Sequence, residues 1–158
     1  MKRKLLAVAV MLIFSAVVLS GCMEYGPVTV RGGGWLLAYG GEGKATFGFT
    51  VDCVNIVYAD EEPESWEIKG NFVYNDHAGK IRIKGEIMGA YYSEGVGVFG
   101  GECVFDGEPA QFAVFVADMG EPATGDYFAI EIRDGNEQPL YINEGLIGGG
   151  NIQLFPMK

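Results

Sequence analysis

From about residue 28 onward, apolar and polar residues alternate in short runs separated by glycine-rich breaks. In "KIRIKGEI" (80–87) Ile81, Ile83 and Ile87 share one face, and Lys80, Arg82, Lys84 and Glu86 the other. This period of two marks a half-buried strand. In the preceding "WEIKGNFVYN" (66–75), Trp66, Ile68, Phe72 and Tyr74 fall on one face. The link "DHAG" (76–79) predicts a tight turn, with Gly79 taking positive φ and Asp76 forming an Asx-type turn. A one-residue slip would put the apolar set in water, so the two faces fix the parity of the pairing. Placing Asn75 opposite Lys80 pairs Tyr74 with Ile81, Phe72 with Ile83 and Ile68 with Ile87, and sets Gly70 opposite Gly85 and Lys69 opposite Glu86.

The other strands follow the same logic. "KATFGFTVDCV" (44–54) places Phe47, Phe49, Val51 and Cys53 together, with Thr46, Thr50 and Asp52 opposite. "QFAVFVAD" (111–118) is apolar on both faces and predicts a central strand. "DYFAIEIRD" (126–134) turns Phe128, Ile130 and Ile132 inward and Glu131 and Arg133 outward. "NIQLF" (151–155) predicts a closing strand and residues 35–39 an early one. If first and last pair, the sheet loses its exposed edges. Sustained helical periodicity is missing throughout. Strand signals recur every eight to twelve residues, which predicts an all-β fold, a single antiparallel β-barrel or β-sandwich of roughly 8–10 strands.

The N-terminus follows a different rule. Lys2, Arg3 and Lys4 precede residues 5–19, an uncharged run that ends in "LSGC" (19–22). A basic start, an apolar stretch shorter than the ~20 residues of a spanning helix, and small residues before a cysteine form the pattern of a lipoprotein signal peptide. The expected organisation is a signal helix over 1–21, a lipidated Cys22 with a short tether over 22–27, and one all-β domain over 28–158. Several acyl chains on Cys22 would hold the mature chain stably at a membrane. The expected location is the outer face of the cell membrane, or the outer membrane where there is one.

Removing Lys2, Arg3 and Lys4 with the leader takes the net charge from −10 to −13, because no acidic residue precedes the cut. That balance argues against nucleic acid as a partner. With Cys22 carrying lipid, Cys53 and Cys103 are left in an oxidising compartment, where pairing is the expectation. Such a bridge over a long loop would contribute roughly 4 kcal/mol by chain entropy; two buried free thiols are the alternative. Two cysteines and one histidine make a poor zinc set.

The run "VRGGGWLLAYGGEGKATFGF" (30–49) raises the question of a phosphate cradle. A phosphate loop leads from a strand into a helix whose N-terminal amides face the anion. Here alternation resumes at Lys44 and no GK[ST] follows. The glycines are read instead as allowing close backbone approach around Trp35. Together with "VTVRGGGWL" (28–36), "GKATFGF" (43–49), "GNFVYNDH" (70–77), "DMGEPATGDYFAI" (118–130) and "LIGGGNIQLF" (146–155), the run resembles the post-COAP domain, an all-β module of exported microbial proteins. The resemblance implies export and an all-β fold. It brings no catalytic residue and no cofactor.

Candidate chemistry is sparse. His77, the only histidine, stands beside Asp76, and an Asp–His pair can serve as a general base. No nucleophile motif accompanies it, and a turn role for Asp76 competes. Asp118, Glu121 and Asp126 could offer oxygens to calcium, as could the acidic "DEEPE" (60–64), although neither has the spacing of a calcium loop. Solvated carboxylates and turn-forming roles are the plainer readings. Trp35, Tyr91 and Tyr92, with Tyr39 or Trp66, could form a stacking surface for sugar, or belong to the core. Lys80, Arg82 and Lys84 form a small basic stripe on an acidic protein. The favoured reading is a non-catalytic binding or structural module without a cofactor, taking an envelope polysaccharide or exported protein. The alternative is an extracytoplasmic hydrolase using Glu121 and Asp126.

Overall fold

A computed structural model describes residues 28–56, 65–93, 95–120 and 125–156. The expected signal helix, Cys22, the tether, "DEEPE" and Glu121 lie outside the described residues. The described residues form nine strands: β1 (Val28–Leu37), β2 (Lys44–Ile56), β3 (Ser65–Asp76), β4 (Ile81–Ser93), β5 (Val96–Phe105), β6 (Glu108–Ala117), β7 (Tyr127–Arg133), β8 (Pro139–Leu146) and β9 (Gly149–Pro156). They form one antiparallel sheet in the order β8-β7-β6-β5-β4-β3-β2-β1-β9, curled into a half-barrel. The end holding the β1–β2, β3–β4, β5–β6 and β7–β8 connections is called upper here; Val28 begins at the lower end.

The interior is filled by aromatic rings. Phe47, Phe49, Phe72, Phe99, Phe112 and Phe128 are all buried, as the inward parity of their strands requires. Phe47 stacks on Phe128 at 4.1 Å between centroids, Phe72 on Phe112 at 5.0 Å, and Phe49 tilts against Phe99 at 4.9 Å. Burial of this kind contributes roughly 1.5–3 kcal/mol per large side chain. β6 is a central strand, with Phe112, Val114 and Val116 buried inward and Ala113 buried on the outer face. Glu131 and Arg133 do point outward from β7, yet both are buried and joined at 2.8 Å.

The first and last strands do pair, from Val28↔Pro156 to Trp35↔Gly149, but the first strand is Val28–Leu37 and not the expected 35–39, so "NIQLF" lies opposite residues 29–33. This pairing does not remove the edges, which are β8 and β9. The two edges are consecutive in the chain and run in the same direction, since β7 and β1 have the same sense in an alternating meander. The pair therefore behaves as one long strand that leaves β7 and joins β1. At the changeover Ile147 N–H donates to Asp126 O at 3.0 Å, on the β7 side, and Gly148 N–H donates to Trp35 O at 2.7 Å, on the β1 side.

The β3–β4 hairpin keeps the expected parity but is shifted by two residues. Asp76 pairs with Ile81, Tyr74 with Ile83 and Phe72 with Gly85. The loop is residues 77–80, and the positive φ falls on Lys80 (56°) and not on Gly79. The shift sets small against large. Gly85 lies under the Phe112 ring and Gly70 against Ile87, where glycine opposite glycine would have left gaps.

At the changeover the glycines act as proposed for the "GGGW" run. The Trp35 indole lies directly on Gly148 and Gly149, and Lys44 Nζ sits 3.8 Å over the ring. A Cβ on Gly34 would overlap the Gly149 carbonyl. A Cβ on Gly150 (φ 109°) would overlap the Gly33 carbonyl. Gly150→Ala should therefore cost more than about 2 kcal/mol, from strain plus overlap. Gly48→Ala, where nothing lies within 4 Å of the added atom, should change stability by at most about 1 kcal/mol. Urea denaturation of the two variants checks this; equal losses would contradict the close-approach account.

Candidate functional site: the upper cleft

Four buried polar side chains converge at the upper end of the interior: Tyr74 and Asp76 from β3, and Tyr141 and Asn143 from β8. Each points inward by strand parity. Tyr141 Oη donates to Asp76 Oδ2 at 2.8 Å. That leaves Tyr74 Oη to donate to Tyr141 Oη at 2.7 Å, and Asn143 Nδ2 donates to Tyr74 Oη at 2.8 Å. Asp76 Oδ1 accepts Gly79 N–H at 2.8 Å, the Asx-type turn expected of "DHAG". Asn143 Nδ2 also donates to Leu37 O at 3.1 Å. The chain of bonds runs from β1 through β8 to β3, so it ties the edge strand across the interior. Burial raises the pKa of Tyr141, and its bonds to Tyr74 and Asp76 push the same way. Burial likewise raises that of Tyr74.

Outside this network β8 does not pair with β1, and a cleft of about 840 Å³ opens between β8 and the β1–β2 hairpin. Leu37, Tyr39 and Leu140 stand at its rim, 59%, 70% and 44% exposed. Tyr141 and Asn143 form its floor. Tyr39 tilts against Tyr141 with centroids 6.1 Å apart. The cleft thus combines apolar and aromatic side chains with a fixed polar floor, the composition of a ligand site. A larger groove of about 1130 Å³ crosses the outer wall of β3–β5. Lys69, Arg82 and Lys84 line it beside Glu86, Glu102 and Asp106. Its charges balance and no buried polar group converges there, so the basic stripe reads as a solvated strand face.

Asp118 and Asp126, offered above to calcium, are committed to backbone. Asp126 is fully buried. Its Oδ1 accepts Met119 N–H at 3.0 Å and its Oδ2 accepts Ile152 N–H at 2.9 Å. Asp118 Oδ1 accepts Gly120 N–H at 2.9 Å, and its Oδ2 accepts Leu154 N–H at 3.3 Å. Among the described residues no three acidic, histidine or cysteine side chains gather around a common metal position. Asp126, whose oxygens face backbone donors inside the fold, is poorly placed as a hydrolytic acid or base.

Among the described side chains, which do not include that of Trp66, the aromatic candidates do not assemble into one platform. Tyr91 and Tyr92 point to opposite faces of β4, Tyr91 outward and Tyr92 against the core. Trp35 belongs to β1, three strands away, and is half-buried on glycine backbone. His77 is exposed in the β3–β4 turn, and its ring takes no part in the Asp76 network. Tyr39 does reach the site. Tyr141, Asn143 and Leu140 escaped sequence reasoning, because "PLYIN" reads only as alternation and nothing in it indicates which strand lies across the interior.

The expected Cys53–Cys103 bridge is absent: Cys103 is a free, buried thiol. Both residues face the interior, but Cys53 lies near the lower end of β2 and Cys103 near the upper end of β5. Two strands separate β2 from β5, about 14 Å of sheet at the usual spacing, and a disulfide needs Cα atoms within about 7 Å. Comparison with known protein families, curated proteins and solved structures finds no match.

Burial pushes the Cys103 thiol up to about 11 and raises the phenols of Tyr74, Tyr127 and Tyr141. These groups ionise first in the unfolded chain, so the folded state binds more protons and loses stability as pH rises. Stability should be flat with respect to them below about pH 8.5 and fall between about pH 9 and 11. Cys103→Ala should make that fall shallower. Guanidinium midpoints at a series of pH values check this; a flat profile up to pH 11 would contradict the burial of these groups.

Proposed function

We propose that the chain is an exported, lipid-anchored β-domain that binds a cell-envelope component in the upper cleft, with no catalytic step. The carrying observation is the exposed rim of Leu37, Tyr39 and Leu140 above a hydrogen-bonded floor of Tyr141 and Asn143. Exposed apolar side chains gathered at one opening mark interaction sites more often than chance surface exposure does. The pattern "LSGC" ending at Cys22 supports export and lipidation, and the resemblance to post-COAP domains supports export. The ligand is an exposed polysaccharide or an exported protein. The acidic balance of the mature chain favours neutral or cationic material.

The geometry suits that placement. Cys22 precedes β1 by a tether of five residues, at most about 17 Å long. The cleft begins at Leu37, the far end of β1. Ten residues of strand, roughly 33 Å of chain, therefore separate the anchored end from the cleft. A hydrolase reading has Glu121 outside the described residues and Asp126 engaged with backbone.

Residues 23–158, immobilised and exposed to solubilised envelope material, should retain a specific component. The double variant Tyr39→Ser, Leu140→Ser should retain about tenfold less, as expected for loss of rim anchors. Protease treatment of the retained material separates protein from polysaccharide. Wild-type protein that retains nothing would overturn the binding role in favour of a purely structural one.

A further inference from the structure

The lower end of the half-barrel carries a second set of exposed apolar side chains. β9 ends there, with Val28 paired to Pro156, and the β6–β7 turn reaches the same end because β6 runs opposite to β1. Phe155 on the outer face of β9 is 46% exposed, and Met119 in the turn is 69% exposed. Side-chain bonds to backbone fix the chain at or beside both. Met119 N–H is bound by Asp126, which also binds Ile152, and Asp118 binds Leu154, the neighbour of Phe155. The two described acids of this turn thus each direct one carboxylate oxygen onto β9 backbone.

We propose that Phe155 and Met119 rest in the interfacial layer of the bilayer that carries the Cys22 lipid, so that the domain stands on its lower rim with the cleft directed away from the membrane. The inference rests on the lipid-anchor reading above. The occupant follows from the chain: a five-residue tether confines Val28 to within about 24 Å of the acylated sulfur, and Phe155 and Met119 share that end with Val28. An apolar ring and a thioether held this close to the headgroups gain by burial in the acyl boundary, and the second contact adds to the acyl chains. The acidic mature chain suits a zwitterionic surface better than an anionic one.

The test uses the lipidated mature chain in phosphatidylcholine vesicles, some made with bromine-labelled acyl chains. Flotation of the chain, and its loss in Cys22→Ala, reads the anchor. Tryptophan placed by Met119→Trp, Phe155→Trp or Tyr39→Trp then reads depth, after subtraction of the parent emission. The added emission at 119 and 155 should shift to the blue and be quenched by bromine by about half or more, while that at 39 stays unquenched. A chain that floats but shows no quenching at 119 and 155, or equal quenching at all three positions, overturns the docking surface and leaves the anchor standing. A chain that does not float overturns both.

Discussion

The carboxylate of Asp126 holds the seam of this fold. A sheet of nine strands that curls without closing leaves two edges, and every edge presents unpaired backbone groups. β9 bonds to β1 through one row of backbone groups, so the amides of Ile152 and Leu154 point away from it. Asp126 takes the first and Asp118 the second. The next position in that row is Pro156, which has no amide hydrogen to satisfy. Charge-assisted bonds of this kind contribute roughly 1.5–3 kcal/mol each when buried. The lower half of the seam is thereby bridged by side chains in place of a ladder.

The upper half is held differently, and the difference makes a site. There the chain of Asn143, Tyr74, Tyr141 and Asp76 ties β8 to β3 through the interior, and the space between β8 and the β1–β2 hairpin stays open. One strand that changes partner at Ile147 and Gly148 thus produces both a bridged lower seam and an open upper cleft. The glycines of the changeover permit it, since Trp35, Gly34 and the Gly148–Gly150 backbone occupy space that side chains would need.

The alternation of residues 80–87 and 126–134 and the double-faced burial of β6 were legible, because each depends on which residues must avoid water. The glycine-rich run was legible as backbone approach because no helix follows it. What escaped were quantities set by shape in three dimensions. The β3–β4 register moved by two because Gly85 receives the Phe112 ring from another strand. Cys53 and Cys103 have the right parity for a bridge and sit at opposite ends of the interior. Asp118 and Asp126 were recognisable as a pair of acids, but their partners on β9 lie 36 and 26 residues away. No local pattern marks a carboxylate that caps a distant strand.

Amide hydrogen exchange at Ile152 tests the account most directly. The carboxylate-bridged seam predicts that this edge-strand amide is protected as strongly as the ladder-bonded amides of β9, and that Asp126→Ala, which removes both acceptor oxygens, strips that protection while the amides facing β1 keep theirs. Exchange of Ile152 at the rate of an open edge in the unaltered protein would contradict it.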